Sequence, residues 1–218
     1  MDTKYKSLFL CGFRTMGKAT LGHKVAEEMG WEFIKMDDEI TKRASQNETE
    51  LTKSGTYWQR FRQMETDLLN ELLERTNIVV SAGSGVGVNH IIKENTSESF
   101  GHIQARLLKQ HQDVCVVILD APTYVIADRI KREEMEQSIT HPILDETRAR
   151  HMQTELDKQQ LSDADKKESL VNEIVADAIE VLELRRPLYE QISSFQIDTG
   201  SSAIEHTVKR IVAILKGQ

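Results

Sequence analysis

No stretch of this chain approaches the roughly 20 consecutive apolar residues that a membrane-spanning helix needs, and the opening "MDTKYKSLFLCGF" has too short an apolar run for a secretory signal. Basic excess is missing too: 28 Lys and Arg face 35 Asp and Glu, for a net charge of -7. That argues against a general nucleic-acid or anionic-membrane binder, which would show a basic face. It does not argue against a small anionic ligand, which a few local Arg and Lys residues can hold. Cysteine is nearly absent, with Cys11 and Cys115 alone. Both fall in apolar strand-like runs without metal spacing, so buried thiols and a cytoplasmic setting are the expectation. Internal repeats and low-complexity segments are also missing. What remains is an ordinary soluble balance, 39% hydrophobic and 29% charged over 218 residues. That length suits one domain with a substantial core and a possible insertion.

Short, nearly continuous apolar runs alternate with helical patterns. "SLFLCG" (7–12), "WEFIKM" (31–36), "NIVVSAGSG" (77–85), "VCVVILDAP" (114–122) and "FQID" (195–198) read as strands. Helical stripes run through 17–30, 57–76 and 202–216, and again from Val171 to Leu182. This alternation predicts a parallel α/β sheet. Between about Lys131 and Lys167 the chain is mostly charged and lacks a core stripe. It reads either as a solvated helical excursion or as a lid over a phosphate site.

The first strand runs into "GFRTMGKAT", which is nearly the phosphate loop G-x-x-x-x-G-K-[ST]. Glycines there let backbone N–H groups turn around phosphates, and the lysine supplies a point charge. The pattern keeps Gly12, Gly17 and Lys18 but has Ala19 where a hydroxyl should stand. Further on, "EFIKMDDEI", "RFRQMETDLL", "VVSAGSG", "THPIL" and "RRPLYEQISSFQIDTG" follow in that order. On residue type alone, Arg62 could be a solvated side chain at a helix start, Arg185 a cation favouring a helix C-terminus, and Asp37 a helix N-cap.

With these motifs in this order over nearly its whole length, the chain resembles the shikimate kinase family, small P-loop kinases that phosphorylate the 3-hydroxyl of shikimate with ATP. The resemblance implies a three-layer, P-loop NTPase-like α/β domain with a five-stranded parallel sheet and a helical lid. The whole of 1–218 would be one kinase domain, with a substrate-binding segment at about 37–65 and the lid at about 131–165. It implies that Gly12, Thr15, Met16, Gly17, Lys18, Ala19 and Thr20 form the nucleotide loop, with Arg132 also on the nucleotide side. Lys18 would hold the β- and γ-phosphates. Asp37 would bind the substrate hydroxyls and accept a proton. Arg62 and Arg185 would clamp the substrate carboxylate, Glu65 would orient one of them, and Gly83, Ser84 and Gly85 would let backbone approach the substrate.

The departures from the family's pattern gather on the nucleotide and metal side. Thr15 replaces a loop glycine, so that turn should be tighter or reshaped. Ala19 removes a Mg²⁺ hydroxyl, and Thr20, one position on, points about 100° away. Lys35 stands where the family has an aspartate that supports the metal, and Ser84 replaces the middle glycine of three. No certain metal ligand is left, so ATP is the expected cofactor with weakened Mg²⁺ binding. Two alternatives stand beside the kinase: a non-catalytic binder of shikimate or a similar hydroxy acid, and a kinase of another polyol acid such as gluconate.

Overall fold

The computed structural model describes residues 3–45, 57–136 and 162–218. Five strands form one sheet: β1 (Ser7–Cys11), β2 (Glu32–Lys35), β3 (Ile78–Ser81), β4 (Val114–Asp120) and β5 (Phe195–Asp198). Their order is β2-β3-β1-β4-β5, and every pairing is parallel. The central strands β1, β3 and β4 are the continuous apolar runs, and β1 and β3 are buried at every position. A strand covered on both faces has no polar alternation to show, which is why the runs read so plainly. The expected third strand is shorter than its apolar run suggested: pairing stops at Ser81 and the glycine-bearing turn takes over.

Contacts divide the chain into two compact units, residues 1–121 with 185–218, and residues 122–184. The first holds the sheet with helices α1 (Lys18–Met29), α2 (Met36–Ser45), α3 (Tyr57–Leu73), α4 (Phe100–Gln110) and α7 (Ile204–Lys216), and the last turns of α6 (Asp163–Ile192). On one side of the sheet, Phe9, Val80 and Ile118 pack with Leu69 and Leu72 of α3, Leu108 of α4 and Tyr189 of α6. The helix α4 carries no expectation from the sequence. It begins at Ser99, whose hydroxyl accepts from the His102 N–H, and buries Phe100, Gln104 and Leu108 at a spacing of four.

The second unit is formed by α5 (Thr123–Glu136) and the first part of α6. α5 buries Ile126 and Ile130, and α6 buries Val171, Ile174, Ala178 and Leu182. Polar links join the two helices: Thr123 Oγ1 donates to Glu183 at 2.8 Å, and Lys167 Nζ to the Met135 carbonyl at 2.8 Å. Most of the expected lid, residues 137–161, lies outside the described residues, as do 46–56 of the expected substrate-binding segment. No helix among the described residues is long and apolar enough to cross a membrane. Both cysteines are buried thiols, and burial pushes each up to about 12.

Candidate active site

The phosphate loop lies where β1 ends and α1 begins. Gly12 has φ 129°, and a Cβ on it would sit 2.3 Å from the Leu119 carbonyl oxygen of the neighbouring strand. Only glycine fits that approach. Gly17 caps α1 in the left-handed region at φ 79°, and the first turn of the helix carries no acidic residue. The helix N-terminus is therefore dressed for an anion. Thr15, where the turn was expected to be tighter or reshaped, has a left-handed φ of 62°. A β-branched residue there costs about 1–3 kcal/mol of strain, so the loop's shape is held by its surroundings. Lys18 Nζ bends back to donate to the Gly12 and Phe13 carbonyls, at 3.0 and 2.8 Å.

Opposite the loop, α3 presents Arg62 and Glu65 one turn apart. Arg62 is 9% exposed and Glu65 fully buried, so the solvated reading of Arg62 is excluded. Arg62 Nη1 donates to both Glu65 oxygens at 2.8 Å. Its guanidinium lies 5.2 Å from the Phe61 ring centre and 5.6 Å from that of Trp58. Nη2 makes no hydrogen bond among the described residues, and Nε is buried with none. Nε and Nη2 form one side-on fork of the guanidinium, which is the geometry that a carboxylate matches.

The turn after β3 joins the two sides. A Cβ on Gly83 would come within 2.7 Å of Glu65 Oε1 and 3.1 Å of Asp37 Oδ1. One on Gly85 would meet both terminal nitrogens of Arg62 at 2.7 Å. The glycines at these two positions allow that close packing. Asp37 sits in the first turn of α2, exposed, rather than as its cap. Ser84 is half-buried, and its carbonyl accepts from Arg185 Nη1 at 3.1 Å and from the Tyr189 hydroxyl at 2.5 Å. Burial raises the Tyr189 hydroxyl well above its ordinary range, so it remains a donor. Arg185 in turn lies 5.9 Å from the ring centre of Phe13 in the phosphate loop. Phe13, Arg185, Ser84, Gly85, Arg62, Glu65 and Asp37 thus form one connected patch.

The sequence reading missed Phe13, Trp58, Asn89, Gln104 and Tyr189. The most legible of these was Gln104, a polar residue spaced four from both Phe100 and Leu108 on a buried stripe. Arg132 belongs to the second unit, where it pairs with Asp128 at 2.7 Å on the same helix. A separate cleft of about 380 Å³ runs along β2, where Arg43–Glu71 and Arg75–Glu32 pairs satisfy their own charges.

The metal side is poor in oxygen. Ala19 offers a methyl group, Thr20 is exposed one position on, and Lys35 Nζ is bound to Asp38 Oδ1 at 2.8 Å. Among the described residues, no group of three or more His, Cys, Asp and Glu is placed to hold a metal. These residues do not fit a magnesium site built on protein ligands.

A loop of near P-loop sequence at the carboxyl end of a parallel strand, linked through a glycine-bearing turn to a buried arginine, is the architecture of a P-loop small-molecule kinase. Comparison with known proteins sharpens that class. The family model described as shikimate kinase matches residues 14–216, and the chain belongs to the shikimate kinase family. It is 27% identical to a shikimate kinase of Nitratidesulfovibrio vulgaris over 99% of this chain and 98% of that one. It is 32% identical to a bifunctional shikimate kinase/3-dehydroquinate synthase of Thermotoga maritima over 66% of this chain, but spans 25% of that protein's length. Among solved structures, a shikimate kinase from Acinetobacter baumannii in complex with shikimate superposes with a TM-score of 0.59. That match covers 96% of this chain and 92% of that one at 23% identity, a likeness of fold.

Proposed function

We propose that the protein transfers the γ-phosphoryl group of ATP to the 3-hydroxyl of shikimate. The observation that carries this reading is the Nε–Nη2 edge of Arg62, beside Glu65: among the described residues neither nitrogen makes a hydrogen bond, and Nε is buried. A buried donor without a partner costs about 1–3 kcal/mol. A carboxylate supplies two acceptors in the matching plane, and shikimate is a ring that carries one carboxylate and three hydroxyls. Arg185 is read as the second partner of the same ligand, because the Ser84 carbonyl that holds it lies next to Gly85, which packs on Arg62.

In this reading Arg62 and Arg185 fix the acid, and the turn at Gly83, Ser84 and Gly85 supports the ring. Asp37 faces the hydroxyls and accepts the proton of the attacking one as its oxygen bonds to phosphorus and the bond to ADP breaks. Lys18 exchanges its two loop carbonyls for phosphate oxygens and neutralises their charge. The loop N–H groups and the start of α1 bind the remaining phosphate oxygens. Magnesium would be held by ATP and water rather than by protein ligands, which weakens its grip here. Mg²⁺ commonly keeps several waters in nucleotide sites.

The test is ADP release from ATP and Mg²⁺ with and without shikimate. Stimulation by shikimate, and none by gluconate, is the expected result. Shikimate binding by calorimetry without ADP release would leave a binding protein instead.

A further inference from the structure

Behind the acid-binding arginine lies a polar network that the proposed reaction does not use directly. Gln104 of α4 is fully buried at its centre. Its Nε2 donates to Glu65 Oε2 and to Thr66 Oγ1, both at 3.0 Å. Its Oε1 accepts from the Gly87 N–H at 3.0 Å and from Asn89 Nδ2 at 3.1 Å. The amide's orientation follows from its neighbours, because an ionised carboxylate only accepts and a backbone N–H only donates. Asn89 Nδ2 also donates to the Gly85 carbonyl at 3.1 Å, and Thr66 Oγ1 to the Arg62 carbonyl at 2.7 Å. The ring closes where Gly85 packs against the Arg62 guanidinium.

We propose that Gln104 is a positioning residue for substrate binding, setting through Glu65 which edge of Arg62 is offered to the substrate carboxylate. This rests on the reading of Arg62 as the acid's partner. Arg62 Nη1 follows the Glu65 oxygens, and one of those oxygens is shared with Gln104. The other end of the Gln104 amide holds the turn that carries Gly85. One side chain therefore registers the arginine against the turn beneath the substrate. Both ends of the Gln104 amide are fully satisfied, so it ties the arginine's partner and the turn together although Asn89 Oδ1 is buried without a partner among the described residues.

Two variants separate positioning from simple support of the fold. Gln104→Met keeps length and removes every hydrogen bond. Gln104→Glu keeps the acceptor for Gly87 and Asn89 but turns the group facing Glu65 into a second carboxylate when ionised. The charged groups facing it from α3 are Glu65 and Arg62; on its own helix, His102 and Arg106 are exposed. Two carboxylates sharing one site hold the proton on one of them to higher pH.

The expected result for Gln104→Met is a shikimate KM and calorimetric Kd raised by about tenfold, with the ATP KM within about twofold and kcat little changed. For Gln104→Glu the shikimate KM should climb with pH relative to wild type as the added carboxylate ionises. Trp58 fluorescence, read in a Trp31→Phe background, should shift in ligand-free Gln104→Met because Arg62 lies against that ring. Equal changes in both KM values, or a pH profile for Gln104→Glu parallel to wild type, would overturn the proposal. If wild type neither binds nor phosphorylates shikimate, the substrate reading fails; the Trp58 signal then still decides whether Gln104 positions Arg62, and an unshifted signal refutes it.

Discussion

The two sides of the candidate site are built to different standards. On the side proposed to bind the acid, Arg62, Glu65, Gln104, Asn89 and the glycine-bearing turn form a buried, connected set of hydrogen bonds. On the phosphate side, Lys18 rests on its own loop's carbonyls, Ala19 brings no oxygen, and Lys35 is tied to Asp38 near the surface. Buried pairs lose heavily when one member goes, whereas exposed pairs contribute little. The acid side therefore resists substitution by its physics, and the phosphate side tolerates it except at Lys18. Under the proposed function, substrate choice is fixed in the protein while charge handling is left largely to the nucleotide.

Lys18→Ala should produce the largest effect, a loss of turnover of at least about 10²–10³-fold, as for removal of a charge-stabilising group. Shikimate affinity should hardly move. A matching fall in shikimate binding would erase the distinction between the two sides.

Arg62→Ala should weaken shikimate binding by about 2–5 kcal/mol in a calorimetric titration, since Glu65 is left as a buried charge. The fold should lose stability as well, so Arg62→Lys serves as the milder variant; lysine keeps the charge and loses the fork. Lys35→Asp combined with Ala19→Ser should do the reverse on the other side, making ATP binding and turnover more dependent on Mg²⁺. If Lys35→Asp instead abolishes turnover, Lys35 has taken over part of the charge role.

Gly85→Ala tests the junction between the sides. Its Cβ would stand 2.7 Å from the Arg62 nitrogens, so overpacking of about 1–3 kcal/mol should appear as a raised shikimate KM. Unchanged kinetics would mean that Arg62 moves aside freely.

The smallest effect concerns the two thiols. Each is raised from 9.0 to about 12 by burial. Below pH 9 both are neutral whether folded or unfolded, and they add no pH dependence. Between about pH 9 and 12 the unfolded chain loses protons that the folded one keeps, so stability falls with rising pH, by about 1.4 kcal/mol per unit for each thiol. Chemical denaturation at pH 8 and pH 10, in wild type and Cys11→Ala, should show a smaller fall in the variant.

Much of the sheet was legible in the sequence because β1, β3 and β4 are buried on both faces and leave unbroken apolar runs. α4 was not, since its stripe is interrupted by Gly101 and by Gln104, a polar residue at a core position. Arg62, Glu65 and the glycine-bearing turn stood out as motif positions, but only the structure shows that Arg62 is buried: a helix-start arginine and a buried one look the same in sequence. At Thr15, tertiary packing holds a threonine in a left-handed conformation that its own preference opposes, and local sequence does not announce that. Nothing local announced the tie between Glu65 and Gln104 of α4, since the two lie 39 residues apart.

The claim that matters most is that a carboxylate held on Arg62 leaves one hydroxyl in line with ATP. Phosphorus NMR of the protein with ATP, Mg²⁺ and shikimate tests it directly. The account predicts a new phosphomonoester resonance, coupled to the ring proton at position 3, that grows as ADP accumulates. ADP with inorganic phosphate alone, or a phosphorylated hydroxyl at another ring position, would contradict it.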